Sequence, residues 1–330
     1  MPEPFHLPSE QSVSKEFRQI VWDDQLRRDW MAIVRLAVAE DRTDAGDLTT
    51  KALVPENVVG TAAVVARAPG VVAGLPGVEL ILKEIDPRLR WSPAVDDGQP
   101  IRAGDRIGRI DGPAQGLLIA ERLVLNVLGR LSGIATTTRW YVDQISGTNA
   151  RVYDTRKTTP GWRRLEKYAV RCGGGSNHRT GLSDAVLIKD NHLALGAPLS
   201  SATGAAQFTP AEAVARAKRF IQTHASEAIR RQTIIEVEVD TLAQLEEVLP
   251  IGPDIVLLDN MRPDGLRAAV ARRDALNPAV ELEASGGVTL ETVRPIAAAG
   301  VDRISLGALT HGAAWLDIAL DWWCRDAAKG

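Results

Sequence analysis

The chain has 330 residues, enough for one large or two medium domains. A hydrophobic fraction of 45% allows a sizeable core, and a net charge of −3 excludes a bulk nucleic-acid binder. Two cysteines, Cys172 and Cys324, make no disulfide framework and point to a reducing cytoplasm. No apolar run approaches the roughly 20 residues that cross a bilayer, and the polar text of Met1 to Gln11 has no secretory core.

Residues 1–16 read as a loose arm. Asp24 to Glu40 reads as an amphipathic helix with Leu26, Trp30, Ile33, Val34 and Ala37 on one stripe. An acidic turn runs from Glu40 to Thr50. Strand-rich text follows at Gly60 to Ala68, Gly70 to Ala73 and Pro100 to Ile110. Within it, the pattern from Asp97 to Asp105 is similar to lipoyl- and biotin-carrier hammerheads, but it lacks the lysine that such a carrier needs on a hairpin tip.

The texture changes near Leu117. Leu117 to Leu128 reads as a helix carrying Glu121, Arg122 and Asn126. Short β-branched strands then appear at 151–154, 185–188, 234–239, 255–258, 281–284 and 303–306. Helices at 211–223, 241–248, 263–274 and 290–298 fall among them. Such alternation predicts parallel β/α units. No glycine-rich dinucleotide or nucleotide-triphosphate motif opens the first unit. Each strand ends in polar residues, the pattern by which barrel enzymes carry their catalytic groups.

Those strand ends hold the candidate site. Arg156, Lys157, His178, Arg179 and Lys189 lie in a short span of small and turn-forming residues. Converging cations make a poor core and a good trap for a polyanion, the guanidinium fork gripping carboxylate or phosphate bidentately; a solvated basic face is the plainer reading. Glu238 and Asp259 end neighbouring strands, where carboxylates hold Mg²⁺, grip sugar hydroxyls or pair with Lys189 or Lys157. Glu236 lies one layer deeper on the same strand face. Ser285-Gly286-Gly287 and Ser305-Leu306-Gly307 suit a phosphate held by backbone amides, or else are ordinary tight turns. His178 is expected to be neutral and hydrogen-bonding among its cationic neighbours. Cys172 has no base fixed beside it and makes a poor nucleophile.

Five motifs in order carry a resemblance: Thr155-Arg156-Lys157-Thr158-Thr159-Pro160-Gly161, Gly173-Gly174-Gly175-Ser176-Asn177-His178-Arg179, Leu187-Ile188-Lys189-Asp190-Asn191-His192, Glu236-Val237-Glu238-Val239-Asp240 and Glu283-Ala284-Ser285-Gly286-Gly287. Together they resemble the quinolinate phosphoribosyltransferase family, of type II phosphoribosyltransferases. The resemblance implies an α/β protein with an N-terminal α/β sandwich (17–116, completed by 312–330) and a C-terminal incomplete (β/α) barrel (117–311). It also implies a homodimer with shared sites, or a higher oligomer. The substrates implied are quinolinate and 5-phosphoribosyl-1-diphosphate, with no nucleic acid and no membrane.

By motif, Arg156, His178, Arg179 and Lys189 would surround the pyridine dicarboxylate, and Arg122 would reach in from the partner subunit. Lys157 and Lys189 would be catalytic, Lys157 beside the diphosphate and the reacting carboxylate. Glu238 and Asp259 would take the ribose hydroxyls and Mg²⁺, and Ser285, Gly286 and Gly307 the 5′-phosphate. Gly196 to Phe208, rich in small residues, is longer than a usual βα connection and reads as a flap or an insertion. Competing readings are a nicotinate phosphoribosyltransferase, a paralogue associated with molybdate transport, and a carrier module. The number of cations favours a diacid ligand over a monoacid.

Overall fold

In the computed structural model the described residues are 16–41, 46–196 and 208–323. Both the first fifteen residues of the expected arm and most of the Gly196 to Phe208 loop lie outside them. The chain divides into a larger unit (Arg18–Thr180 with Ala284–Gly330) and a smaller one (Met1–Phe17 with Gly181–Glu283).

The larger unit opens with α1 (Asp24–Asp41), which buries Leu26, Trp30 and Val34 of the expected stripe. A short α2 (Leu48–Leu53) follows, capped by the Asp47 carboxylate on Thr50 N at 3.0 Å. Next come β1 (Val59–Ala66), β2 (Gly70–Val71), α3 (Leu75–Ile85), β3 (Arg90–Pro93), β4 (Pro100–Ile101) and β5 (Arg106–Pro113). The expected strand from Pro100 to Ile110 is thus two strands. Arg102 N donates to the Asp105 carboxylate at 2.8 Å and Gly104 takes φ +91°, closing a turn that interrupts pairing.

The expected helix at Leu117 is far longer, running as α4 from Ala114 to Gln144. Its second half is rich in Ser, Thr and Gly, poor helix formers that hid it from the periodicity. Burial overrides the propensity. Thr136 and Thr138 return their hydroxyls to the carbonyls of Ser132 and Ile134 at 2.7 and 2.8 Å. Ser132 and Thr136 also accept from Ala73 N and Val71 N at 3.1 and 2.8 Å. Small residues let chain approach chain here: a Cβ on Gly133 would stand 2.0 Å from the Ala314 carbonyl oxygen. Strand β6 (Arg151–Tyr153) and helix α5 (Arg163–Cys172) complete this stretch.

In the smaller unit helices separate successive strands: β7 (Ala185–Ile188), α6 (Asp190–Gly196), α7 (Pro210–His224), α8 (Glu227–Gln232), β8 (Ile234–Val239), α9 (Leu242–Val248), β9 (Ile255–Asp259), α10 (Pro263–Leu276) and β10 (Glu281–Ser285). Thr209 with Glu212 and Thr241 with Gln244 form capping boxes that start α7 and α9. The strands run in the order β10-β9-β8-β7, with β7, β8 and β9 parallel. Phe17, Ala185, Ile234 and Ile255 form a buried cluster at the strand starts.

The chain returns to the larger unit within β10, between Glu283 and Ala284. It adds α11 (Val293–Ala297), β11 (Arg303–Ser305), α12 (Ala308–His311) and β12 (Ile318–Trp323). Strand β11 pairs in parallel with β6, and β12 pairs antiparallel with β1 in a four-stranded sheet ordered β12-β1-β5-β3. The fold is therefore α/β as expected: an antiparallel sheet with helices, and strands between helices whose pairs β6–β11, β7–β8 and β8–β9 run parallel.

Gly133→Ala should cost about 1–3 kcal/mol, because a backbone carbonyl blocks the new methyl, despite the helix propensity that alanine adds. Urea unfolding of the two proteins measures this, and equal midpoints would show that α4 and the 313–316 segment are not held as closely as described.

Candidate active site

The strand β6 delivers the chain into Asp154, Thr155, Arg156 and Lys157. Asp154 is fully buried, Arg156 half-buried and Lys157 exposed. This segment is braced from below by a pair the motifs did not mark. Glu166 on α5 is fully buried and accepts from Arg130 Nη2 on α4 at 2.6 Å. The same carboxylate accepts from Thr159 Oγ1 at 2.8 Å and Thr159 N at 3.1 Å. Arg130 also donates to the carbonyls of Thr310 and Ala313 at 2.6 and 3.1 Å. Thr310 Oγ1 in turn donates to the Lys157 carbonyl at 2.7 Å. One arginine and one glutamate thus tie the Arg156–Lys157 loop to the segment after β11.

Gly307 stands at that junction. A Cβ there would meet Lys157 Cδ at 2.8 Å and His311 Nε2 at 3.0 Å, so glycine gives the Lys157 stem room to lie against this turn. Ser285 ends β10 half-buried, and Gly286 and Gly287 take φ +94° and +59°, a conformation that residues with side chains rarely adopt.

The turn after α5 carries His178 and Arg179, both buried. His178 N donates to Asp154 Oδ1 at 2.8 Å, and His178 O accepts from Lys167 Nζ at 2.9 Å. Lys167, itself fully buried, forms an ion pair with the same Asp154 oxygen. Burial pushes the Asp154 carboxyl up, while Lys167, the Asn177 amide and the His178 N–H hold against that. The His178 ring accepts from Arg179 N at Nδ1, 2.8 Å away. An accepting Nδ1 carries no proton, so the ring is neutral with its hydrogen on Nε2.

In the smaller unit, Lys189 directly follows β7, and Leu187 pairs with Glu236 in the ladder to β8. Two residues on, the register sets Lys189 opposite Glu238, and the two form an ion pair. Glu238 is in register with Leu257 of β9, so Asp259 lies on the same face, two residues further along. Asp259 Oδ2 accepts from the Asn260 amide at 2.7 Å, with Asn260 in a left-handed conformation, φ +52°. Among the described residues each carboxylate engages one oxygen, which leaves Glu238 Oε1 and Asp259 Oδ1 as hard donors of the type Mg²⁺ takes.

The predicted cations differ in how they are matched. Lys189 has Glu238, whereas Arg156 makes no ion pair among the described residues and its buried Nε makes no hydrogen bond. Arg122 is exposed on α4, and no hydrogen bond or ion pair joins it to the other predicted residues. Cys172 lacks nucleophile character, as expected: burial, and then the Asp97 carboxylate, push its thiol up to about 12. Asp97 itself accepts from Tyr168 Oη at 2.6 Å and Leu75 N at 3.0 Å, so the hammerhead-like text serves as a structural turn.

Four residues of this assembly escaped the motifs: Arg130, Asp154, Glu166 and Lys167. Glu166 and Lys167 sit in the run Leu165 to Val170, which is buried throughout. Charge in such a run reads as an exposed helix face unless its partners are known. Asp154 offered a weak signal, a lone acid directly preceding the cationic motif.

Known proteins share much of this sequence and fold. The family models "Quinolinate phosphoribosyl transferase, N-terminal domain" and "C-terminal domain" match residues 47–132 and 134–321. A nicotinate-nucleotide pyrophosphorylase [carboxylating] of Mycobacterium leprae is 43% identical over 290 residues, covering 87% of this chain and 95% of that protein. A quinolinate phosphoribosyltransferase [decarboxylating] of Nicotiana tabacum is 38% identical over 307 residues, covering 88% and 82%. The solved nicotinate-nucleotide pyrophosphorylase of Francisella tularensis superposes with a TM-score of 0.80 at 33% identity, covering 93% of this chain and all of that one. The chain belongs to the quinolinate phosphoribosyltransferase family.

Two outcomes check this site. With Cys324→Ala removing the second thiol, Cys172 in the native protein should react with a thiol reagent at pH 8 at least about a thousandfold slower than in urea, since so little thiolate exists. Glu166→Gln should destabilise by about 3–5 kcal/mol, the cost of stranding a buried partner, as read by denaturant unfolding; a loss below 1 kcal/mol would remove the brace.

Proposed function

We propose that this chain transfers the phosphoribosyl group of 5-phosphoribosyl-1-diphosphate to the ring nitrogen of quinolinate, releasing diphosphate and CO₂ and yielding nicotinate mononucleotide. The observation that carries the reading is Arg156: a half-buried guanidinium with no acid partner among the described residues, on a loop braced by the Arg130–Glu166 ion pair. Leaving a cation uncompensated costs free energy unless an anionic ligand takes the partner's place. The names of the relatives support the decarboxylating reaction rather than transfer to nicotinate.

In this reading Arg156, His178, Arg179 and Lys189 orient the two carboxylates of quinolinate, with Arg122 supplied by the partner of a homodimer. Lys189 exchanges Glu238 for the ligand carboxylate as quinolinate enters. Ser285, Gly286 and Gly307 receive the 5′-phosphate, and Lys157 lies with the diphosphate. Glu238 and Asp259 grip the ribose hydroxyls and would hold Mg²⁺, which when bound neutralises the departing diphosphate.

The residues then act mainly by positioning the pyridine nitrogen opposite C1 of the ribose as the C1–oxygen bond breaks. Once the N–C1 bond forms, the nitrogen is positively charged. That charge stabilises the electron pair left on ring carbon 2 when CO₂ departs, and the carbon then takes a proton. Cations must orient the 2-carboxylate without holding it too firmly, because grip on the ground state opposes its departure. The location we propose is the cytoplasm, and no described helix is long and apolar enough to cross a membrane.

Incubation with quinolinate, phosphoribosyl diphosphate and Mg²⁺ should produce nicotinate mononucleotide and CO₂ in equal amounts; no product would sink the proposal. Arg179→Ala should weaken quinolinate binding by about 2–4 kcal/mol, the cost of truncating one member of a desolvated charge pair, and leave phosphoribosyl diphosphate nearly unaffected. Calorimetry should find Mg²⁺ binding weakly to the free protein and tightly only with phosphoribosyl diphosphate. Tight stoichiometric metal without that substrate would remove Glu238 and Asp259 from the metal role.

A further inference from the structure

The buried Asn177 precedes His178 and Arg179 and has every hydrogen-bonding group engaged. Its side-chain Nδ2 donates to Asp154 Oδ2 at 2.6 Å and to the Lys167 carbonyl at 2.8 Å. Its Oδ1 accepts from Ile20 N at 2.7 Å. Its backbone N–H donates to Gln19 Oε1 at 2.7 Å, and its carbonyl accepts from Gln19 Nε2 at 3.1 Å. Gln19 thus clamps the Asn177 main chain with both ends of one amide.

That clamp comes from an unexpected place. Gln19 and Ile20 lie in the irregular segment before α1, and the family match begins only at residue 47. The segment reaches 158 positions along the chain to this turn. Without Gln19, two buried main-chain groups of Asn177 would lose their partners, and buried polar groups relax toward new ones rather than stay unpaired. The peptides that would move are those carrying the two residues assigned to the pyridine dicarboxylate.

We propose that Gln19 is a positioning residue for quinolinate: it fixes the Asn177 peptide, and with Asp154 and Lys167 it sets the direction in which His178 and Arg179 face. This rests on the proposed reaction for its substrate, but not for its geometry. The effect is confined to one substrate, because the Arg156–Lys157 loop and the segment after Gly307 hang on the separate Arg130–Glu166 brace.

Gln19→Met keeps the side-chain volume and removes both hydrogen bonds. It should raise the KM for quinolinate roughly tenfold, as expected for one to two lost hydrogen bonds, and leave the KM for phosphoribosyl diphosphate within about twofold. Thr61→Val is the control. It removes the bond from Thr61 Oγ1 to Asp111 Oδ1, 2.7 Å, in the antiparallel sheet, and should lower stability while moving neither KM. Equal changes in both KM values for Gln19→Met, or none, would overturn the proposal.

A second reading needs no turnover. Histidine ¹⁵N spectra of the unsubstituted protein should show His178 as a single Nε2–H tautomer, assigned by its loss in His178→Asn. In Gln19→Met the two ring nitrogens should approach each other in shift as the tautomers exchange. An unchanged ring would sink the clamp even in a protein that turned over no quinolinate, whereas absent turnover with a changed ring would sink only the substrate.

Discussion

The buried pair of Lys167 and Asp154 is the constraint on which the rest of the candidate site depends. Both side chains are fully excluded from solvent, so neither charge is tolerable without the other. Together they satisfy the carbonyl and amide of His178 and the side-chain amide of Asn177. Such a pair adds little net stability over a well-packed apolar substitute. Its value is geometric, since each extra bond it accepts or donates removes one way for the turn to rearrange. The Arg130–Glu166 pair does the same for the loop that carries Arg156 and Lys157.

This arrangement separates two kinds of charge. Lys167, Arg130 and Glu166 are compensated inside the protein and hold backbone in place. Arg156 and Lys157 are presented on that backbone without acid partners among the described residues. Preorganised cations need no reorganisation when an anionic ligand arrives, which is where electrostatic catalysis draws its advantage. Lys189 stands between these cases, since its partner Glu238 is itself a proposed ligand for ribose and metal.

Much of this could be read from the chain. The β/α alternation after residue 181 follows from β-branched runs of four to six residues separated by helices whose capping boxes are explicit at Thr209 and Thr241. The cationic residues were legible because arginine, lysine and glycine cluster at strand ends. Helix α3 was missed, although Val78, Ile81, Leu82 and Ile85 carry a helical period, because a Pro-Gly pair near its start reads as a turn. The second half of α4 was missed because its hydroxyls find partners only in the folded chain. Arg130, Glu166 and Gln19 were invisible for the same reason: a charge or amide declares a structural role only when the groups it meets, 36 to 158 positions away, are known.

The central claim is that the exposed and half-buried cations are arranged for a pyridine dicarboxylate. Its most direct test is kcat/KM for quinolinate against nicotinate, each with saturating phosphoribosyl diphosphate. A site built to pair two carboxylates rejects a ligand lacking one by about a thousandfold or more. A ratio of that size is the result predicted here; comparable values for the two acids would contradict it.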